Sequence, residues 1–178
     1  MTARCNWMVD RGRRRFLTGG AAAAGGVALG AGPARAADPG PARIAYPSRR
    51  LANLADLAEN EPFDVAYPDA AAPGVLLKLG RPVEGGVGPE GDVVGFTAMC
   101  PHKGYALAYV PERRTLQCPG HHSIFDPEKG GQQVWGHATQ NLPQYALRVD
   151  EAGDVHAEGI DELLYGRLSN VLGGEEGR

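Results

Sequence analysis

Cysteine is scarce in this chain: there are three among 178 residues, and only Cys100 and Cys118 lie beyond residue 36. Two cysteines form at most one disulfide, so no disulfide framework holds the fold, and a chain of this length can bury a core without one. Aromatic residues are also few, at 7%. No stretch supplies the ~20 strongly apolar residues that a spanning helix needs. Basic residues are in deficit as well. The first 36 residues hold six arginines and one aspartate, so the 142 that follow carry 12 basic and 20 acidic side chains, a net charge of −8. That balance argues against a nucleic-acid partner, which needs a basic patch, and fits a protein partner with a basic docking face.

What the N-terminus does have is Arg13-Arg14-Arg15-Phe16-Leu17, then a mildly apolar run from Gly19 to Gly32, then Ala34-Arg35-Ala36. A charged segment, an apolar segment and an A-x-A site are the parts of an export signal. Paired arginines before Phe-Leu resemble the twin-arginine (Tat) type, an address read by a receptor. Residues 1–36 are therefore expected to be a Tat signal, 37–46 a linker, and 47–178 the folded domain. The expected destination is the periplasm, with membrane association only if the signal is retained. The Tat route carries proteins already folded, often with a metal cofactor in place, so the leader anticipates a cofactor.

Past the linker, short segments of strand character alternate with Gly, Pro and Asp: Phe63–Tyr67, Val75–Leu79, Val93–Thr97, Thr115–Gln117, Tyr145–Val149 and Val155–Ala157. Strands at this spacing predict an all-β fold, an antiparallel sandwich or barrel. Leu51–Glu59 reads as one or two helical turns and Asp161–Leu172 as a short terminal helix. Between the strands at 93–97 and 145–149 the apolar periodicity disappears, and long loops inside a compact domain are usually functional.

That stretch holds Cys100-Pro101-His102 and, fifteen residues later, Cys118-Pro119-Gly120-His121. Each half offers one thiolate and one imidazole on a segment where Pro and Gly permit a tight turn. Two cysteines and two histidines suit a structural zinc ion. Zinc patterns, however, usually pair Cys with Cys and His with His along the chain, whereas both halves here are mixed. A Rieske centre takes two Cys on one iron and two His on the other, each loop giving one ligand to each iron, so mixed halves favour that geometry. The expected site is a two-loop subdomain holding one [2Fe–2S] cluster through Cys100, His102, Cys118 and His121, with zinc as the competing reading.

At these residues the sequence resembles the Rieske family and, more narrowly, the small subunit of arsenite oxidase. The resemblance runs from about Leu51 to Leu172 and is densest in MCPHKGYAL, QCPGHHSIFDPEKGGQQVWGHATQNLPQY and EGIDELLYGRLSNVL. It implies an electron-transfer subunit with no substrate site of its own, paired with a molybdopterin-containing large subunit. A c-type cytochrome or a small copper protein would be the electron acceptor. Iodate reductase complexes have a similar Rieske subunit and are the alternative, followed by a stand-alone Rieske ferredoxin. Rieske proteins of cytochrome bc complexes carry two more cysteines that link the cluster loops, and the corresponding positions here are Tyr105 and Gly120. Of their two hydrogen-bond donors to cluster sulfur, a Ser and a Tyr, Ser123 matches the first and Phe125 replaces the second.

The remaining residues of note have plainer expectations. Lys103 and His122 read as solvent-facing, and His137 and His156 as non-ligands. Trp135, Tyr145 and Phe125 read as packing residues.

Overall fold

Pro73-Gly-Val-Leu-Leu-Lys78 and Val93-Val-Gly-Phe-Thr97 are apolar on both alternations, and such strands bury both faces. The computed structural model describes residues 46–167. In it these segments are β3 (Pro73–Lys78) and β4 (Val93–Thr97), paired antiparallel with Val75 opposite Phe96 and Leu77 opposite Val94. β2 (Pro62–Ala66) adds an outer strand to β3. Because side chains alternate, Val75, Leu77, Val94 and Phe96 enter one core together with Cys100, Leu116, Cys118 and Phe125. Leu76 and Val93 enter another with Ala52, Leu57 and Val155.

The second core is covered by a sheet of order β1-β10-β9, formed by β1 (Arg49–Asn53), β9 (Tyr145–Val149) and β10 (Asp154–Ile160). The first core is covered by a four-stranded meander inserted between β4 and β9. Its strands are β5 (Ala108–Val110), β6 (Thr115–Gln117), β7 (Ile124–Asp126) and β8 (Gln132–Trp135). All three sheets are antiparallel. The expected all-β architecture with a two-loop subdomain is what the chain adopts, and burial of each large side chain in these cores contributes roughly 1.5–3 kcal/mol.

Three expectations need correction. The stretch between β4 and β9 is not one long loop: besides the expected strand at Thr115–Gln117 it holds β5, β7 and β8, three or four residues each and too short to show a clear period-two pattern. Leu51–Glu59 is helical only at a 3-10 turn, Leu54–Asp56. Asn53 caps that turn by accepting from Ala55 N–H at 3.0 Å, while Ala52 is drawn into extended pairing with Val155. Residues 161–167 form turns rather than a helix. The rest of that expected helix, the Tat signal and the linker up to residue 45 lie outside the described residues. Among the described residues no helix is long and apolar enough to cross a membrane.

Candidate metal centre

The two candidate loops run from β4 to β5 and from β6 to β7, and they are the same turn built twice. In the first, Cys100 N–H donates to the Tyr105 carbonyl at 2.8 Å and the Cys100 carbonyl accepts from Gly104 N–H at 2.8 Å. In the second, Cys118 N–H donates to the Ser123 carbonyl at 2.8 Å and the Cys118 carbonyl accepts from His122 N–H at 3.1 Å. A proline follows each cysteine and fixes φ at the start of the turn. Four places after each cysteine the backbone turns left-handed, at Gly104 (φ 70°) and His122 (φ 59°).

This repetition sorts the ligand candidates by type. Cys100 is 0% exposed and Cys118 3%, both in the core beneath the loops, and neither forms a disulfide. His121 is exposed and His102 half-buried, with ring centroids 4.8 Å apart at 73°. Thiol therefore meets thiol below and imidazole meets imidazole above, each pair drawn from both loops.

A tetrahedral zinc site would hold its four ligand atoms about 3.3–3.8 Å apart, given Zn–S and Zn–N bonds of about 2.0–2.3 Å. Among the described residues, a trio with ligand atoms within 4.8 Å of one another forms at Asp150, Asp154 and His156, not among these four. That trio is occupied by its own partners: Asp154 accepts from Arg50 and Asn53, and His156 Nε2 lies 3.0 Å from Asp150. The Cys and His pairs suit a group wider than one ion.

The local chemistry fits a cluster. Burial pushes the Cys100 thiol up from its ordinary pKa and the neighbouring Cys118 adds to this, while the amides of His102 and Lys103 pull it down. Two adjacent buried thiolates need cationic compensation, which a metal supplies. His102 is held below the ordinary histidine value by burial first, then by His121, Lys103 and His137. Each of these favours the neutral ring, the form a ligand must have. Its Nδ1 is buried and meets no hydrogen-bond partner, an orphan that coordination would satisfy.

The surrounding residues divide between expectation and surprise. Ser123 is fully buried, and its Oγ accepts from His137 N–H at 3.1 Å and Ala138 N–H at 3.0 Å. It thus ties the second loop to residues 136–138 and keeps its own hydroxyl proton for another acceptor. The Tyr105 ring lies over Gly120, where a Cβ would sit 2.9 Å from it. The two positions that carry linked cysteines in bc-type proteins are in contact here too, as ring on glycine. Phe125 is fully buried beside both cysteines, as expected of a packing residue, and so is Tyr145, 2% exposed.

Trp135 is the correction: it is 67% exposed, not packed. It sits at the end of the outer strand β8, and Gly136 behind it presses against Ser123, so the indole has no core to enter. His137 had been set aside, yet its ring lies 5.9 Å from that of His102 and 6.3 Å from that of His121. No periodicity could have located it, because the fold of the 136–138 turn brings it there. Lys103 and His122 are exposed as expected.

With this geometry in view, comparisons with known proteins agree. The sequence matches the family model of the Rieske [2Fe-2S] domain over residues 50–146. The iodate reductase subunit IdrB of Denitromonas iodatirespirans is 38% identical over 169 residues, 90% of this chain and 87% of that protein. The subunit of the same name from Pseudomonas sp. (strain SCT) is 35% identical over 157 residues, covering 86% and 81%. Among solved structures, the soluble domain of the Rieske protein II from Sulfolobus acidocaldarius shares the fold, with a TM-score of 0.62 and 24% identity over 68% of this chain and 82% of that one. The chain belongs to the Rieske [2Fe–2S] domain family, and its cofactor is a [2Fe–2S] cluster.

Proposed function

We propose that this chain is the electron-transfer subunit of an exported, periplasmic molybdenum oxidoreductase of the iodate reductase type. Cys100 and Cys118 hold one iron of its cluster, and His102 and His121 hold the other. The observation that carries the reading is the likeness to two iodate reductase subunits along nearly the whole chain, not merely its cluster loops. It moves the reading from arsenite oxidase to the alternative named beside it. Direction moves with it: reducing iodate takes up electrons, whereas oxidising arsenite releases them. The soluble c-type cytochrome or copper protein is then the electron source, and the molybdopterin-containing subunit receives.

When bound, the cluster takes up and gives back one electron. The chain's own residues set how readily it does so. The buried thiols and the amides of His102 and Lys103 sit on the side away from solvent, where low dielectric strengthens each hydrogen bond. The exposed imidazole of His121 faces outward, so a partner can approach the cluster from that side. Ser123 holds its oxygen with two amide donors and directs its remaining proton away from them.

The test is made on the complex purified from the native host, with the cluster poised reduced. Iodate should reoxidise it over repeated turnovers while arsenite leaves its spectrum unchanged. Reduction of the oxidised cluster by arsenite, with no response to iodate, would return the assignment to arsenite oxidase. Arg13→Lys with Arg14→Lys should retain the chain in the cytoplasm, which fractionation reads directly.

A further inference from the structure

Acidic side chains are spread along this chain but missing from one part of it. Segments 93–111, 115–125 and 130–147, which include both cluster loops and β8, contain no Asp or Glu, and Lys103 and four histidines are their only ionisable residues apart from Cys and Tyr. The chain beyond residue 36 nevertheless holds 20 acidic residues. Within the neutral part, β8 presents Val134 and Trp135, 49% and 67% exposed. A recess of about 300 Å³ lined by Trp135, Gly136 and His137 opens beside them. His137 continues this surface to the imidazoles of His102 and His121, and Tyr105, 49% exposed, lies 5.8 Å from His121 on the far side.

The backbone of β8 is not what this surface offers. β8 is an outer strand, but Gln133 N–H already donates to Asn141 Oδ1 at 3.1 Å, which closes the edge at that point to an added strand. The backbone that presents the indole is fixed: a Cβ on Gly136 would lie 2.4 Å from Ser123 Cα, so the chain behind Trp135 rests directly on the second cluster loop. An exposed aromatic next to a recess, on a stretch of chain without charged side chains, is the anatomy of an interface core, where charges are depleted and Trp anchors.

Which partner this fits follows from the charge. Soluble redox partners that meet and part rapidly are steered by complementary charge. A neutral apolar face gives no steering and suits a lasting contact. Exposed acids that could steer a basic soluble carrier lie instead outside these segments, as at Glu59, Glu61 and Asp64 on and before β2, whereas Asp150, Asp154 and Glu158 are paired with His156, Arg50 and Arg148. We infer that the face formed by Val134, Trp135 and His137 is where the catalytic subunit is permanently seated, with Trp135 as its anchor. This rests on the proposed function, since it requires that subunit to exist.

The experiment uses the full chain, affinity-tagged in its native host, as wild type, Trp135→Asp and Val134→Lys. Both side chains are exposed, so neither change touches a core, and the cluster's absorption and electron paramagnetic resonance report folding independently. The wild type should retain a molybdenum-containing polypeptide through ~1 M salt, where exposed charges are screened within ~3 Å. Each variant should lose that polypeptide by about 30-fold or more, the size of a hot-spot truncation. Each should keep its cluster spectrum and, once oxidised, accept electrons from a reduced basic c-type cytochrome at the wild-type rate. Retention of the molybdenum polypeptide by the variants overturns the inference, as does its release from the wild type by salt. A wild-type dimer that the substitutions split assigns the face to a second copy and likewise overturns it. Absence of any molybdenum polypeptide from the wild type is the distinct failure of the proposed function, and the inference falls with it.

Discussion

The two cluster loops share a backbone plan but not their supports. In the first, the left-handed position is Gly104, and the ring of Tyr165 lies where a Cβ would stand, 2.4 Å away. In the second the same position is His122, exposed and bearing a full side chain. The first loop contributes Tyr105, whose ring covers Gly120 of the second, whereas the second contributes Ser123, which anchors residues 136–138. One backbone solution thus positions equivalent candidate ligands while its flanks do different work: the first loop is covered from outside, and the second is tied down from within. Identical hydrogen-bonded turns do not make identical loops, because packing around the turn decides what each tolerates.

The largest effect should be blind to that difference. Cys100→Ala and Cys118→Ala each remove a thiolate from the same pair, and both should abolish the Rieske absorption and electron paramagnetic resonance signal. An intact spectrum in either variant would break the equivalence of the loops and the ligand assignment.

Cross-linking tests the contact between the loops. Tyr105→Cys with Gly120→Cys should form a disulfide on mild oxidation, read as a loss of two hydrogens by mass spectrometry. Closing about fifteen residues should add about 3 kcal/mol of stability. Two thiols that stay free under oxidant would mean that these positions are not opposed as described.

The anchor of the second loop comes next. Ser123→Ala leaves the amides of His137 and Ala138 without their acceptor, at a cost of about 1–3 kcal/mol in denaturant unfolding. If the hydroxyl proton also reaches cluster sulfur, it favours the more negative reduced state. Half of a charged hydrogen bond of ~1.5–3 kcal/mol, at ~59 mV per 1.4 kcal/mol, lowers the potential on the order of 30–65 mV when it is lost. A less stable variant with an unchanged potential would make Ser123 a brace for 136–138 and nothing more.

The smallest effect is also the sharpest comparison, since the same position should respond with opposite signs. Gly104→Ala places a Cβ in left-handed backbone and against Tyr165, and should destabilise by about 1–2 kcal/mol or more. His122→Gly relieves the same strain with open space around it and should stabilise by up to ~1 kcal/mol, the glycine's greater chain entropy offsetting part of the gain. Chemical denaturation of both cluster-loaded variants measures the pair. Changes of the same sign would show that the loops do not share the turn.

The sequence alone was enough to name the cofactor. Cys100, His102, Cys118 and His121 stood out as candidate ligands because metal ligands are constrained by residue type and short spacing, both of which a linear string preserves. β4 and β9 were legible to the residue, since five-residue strands with apolar residues at their inward positions carry a recognisable pattern. Among the short strands only β6 was marked out; β5, β7 and β8 were not, because three or four residues seldom give enough alternations to separate a strand from a loop. Only the tertiary structure decided that thiol meets thiol and imidazole meets imidazole, because that sorting depends on how two turns fifteen residues apart face each other. It alone put Trp135 in solvent and His137 beside the ligands, since an indole or imidazole has no preference that outweighs where an outer strand and its turn are held. And it alone gave Ser123 its two amide donors, which come from residues fourteen and fifteen places along the chain, a distance over which sequence proximity says nothing and packing says everything.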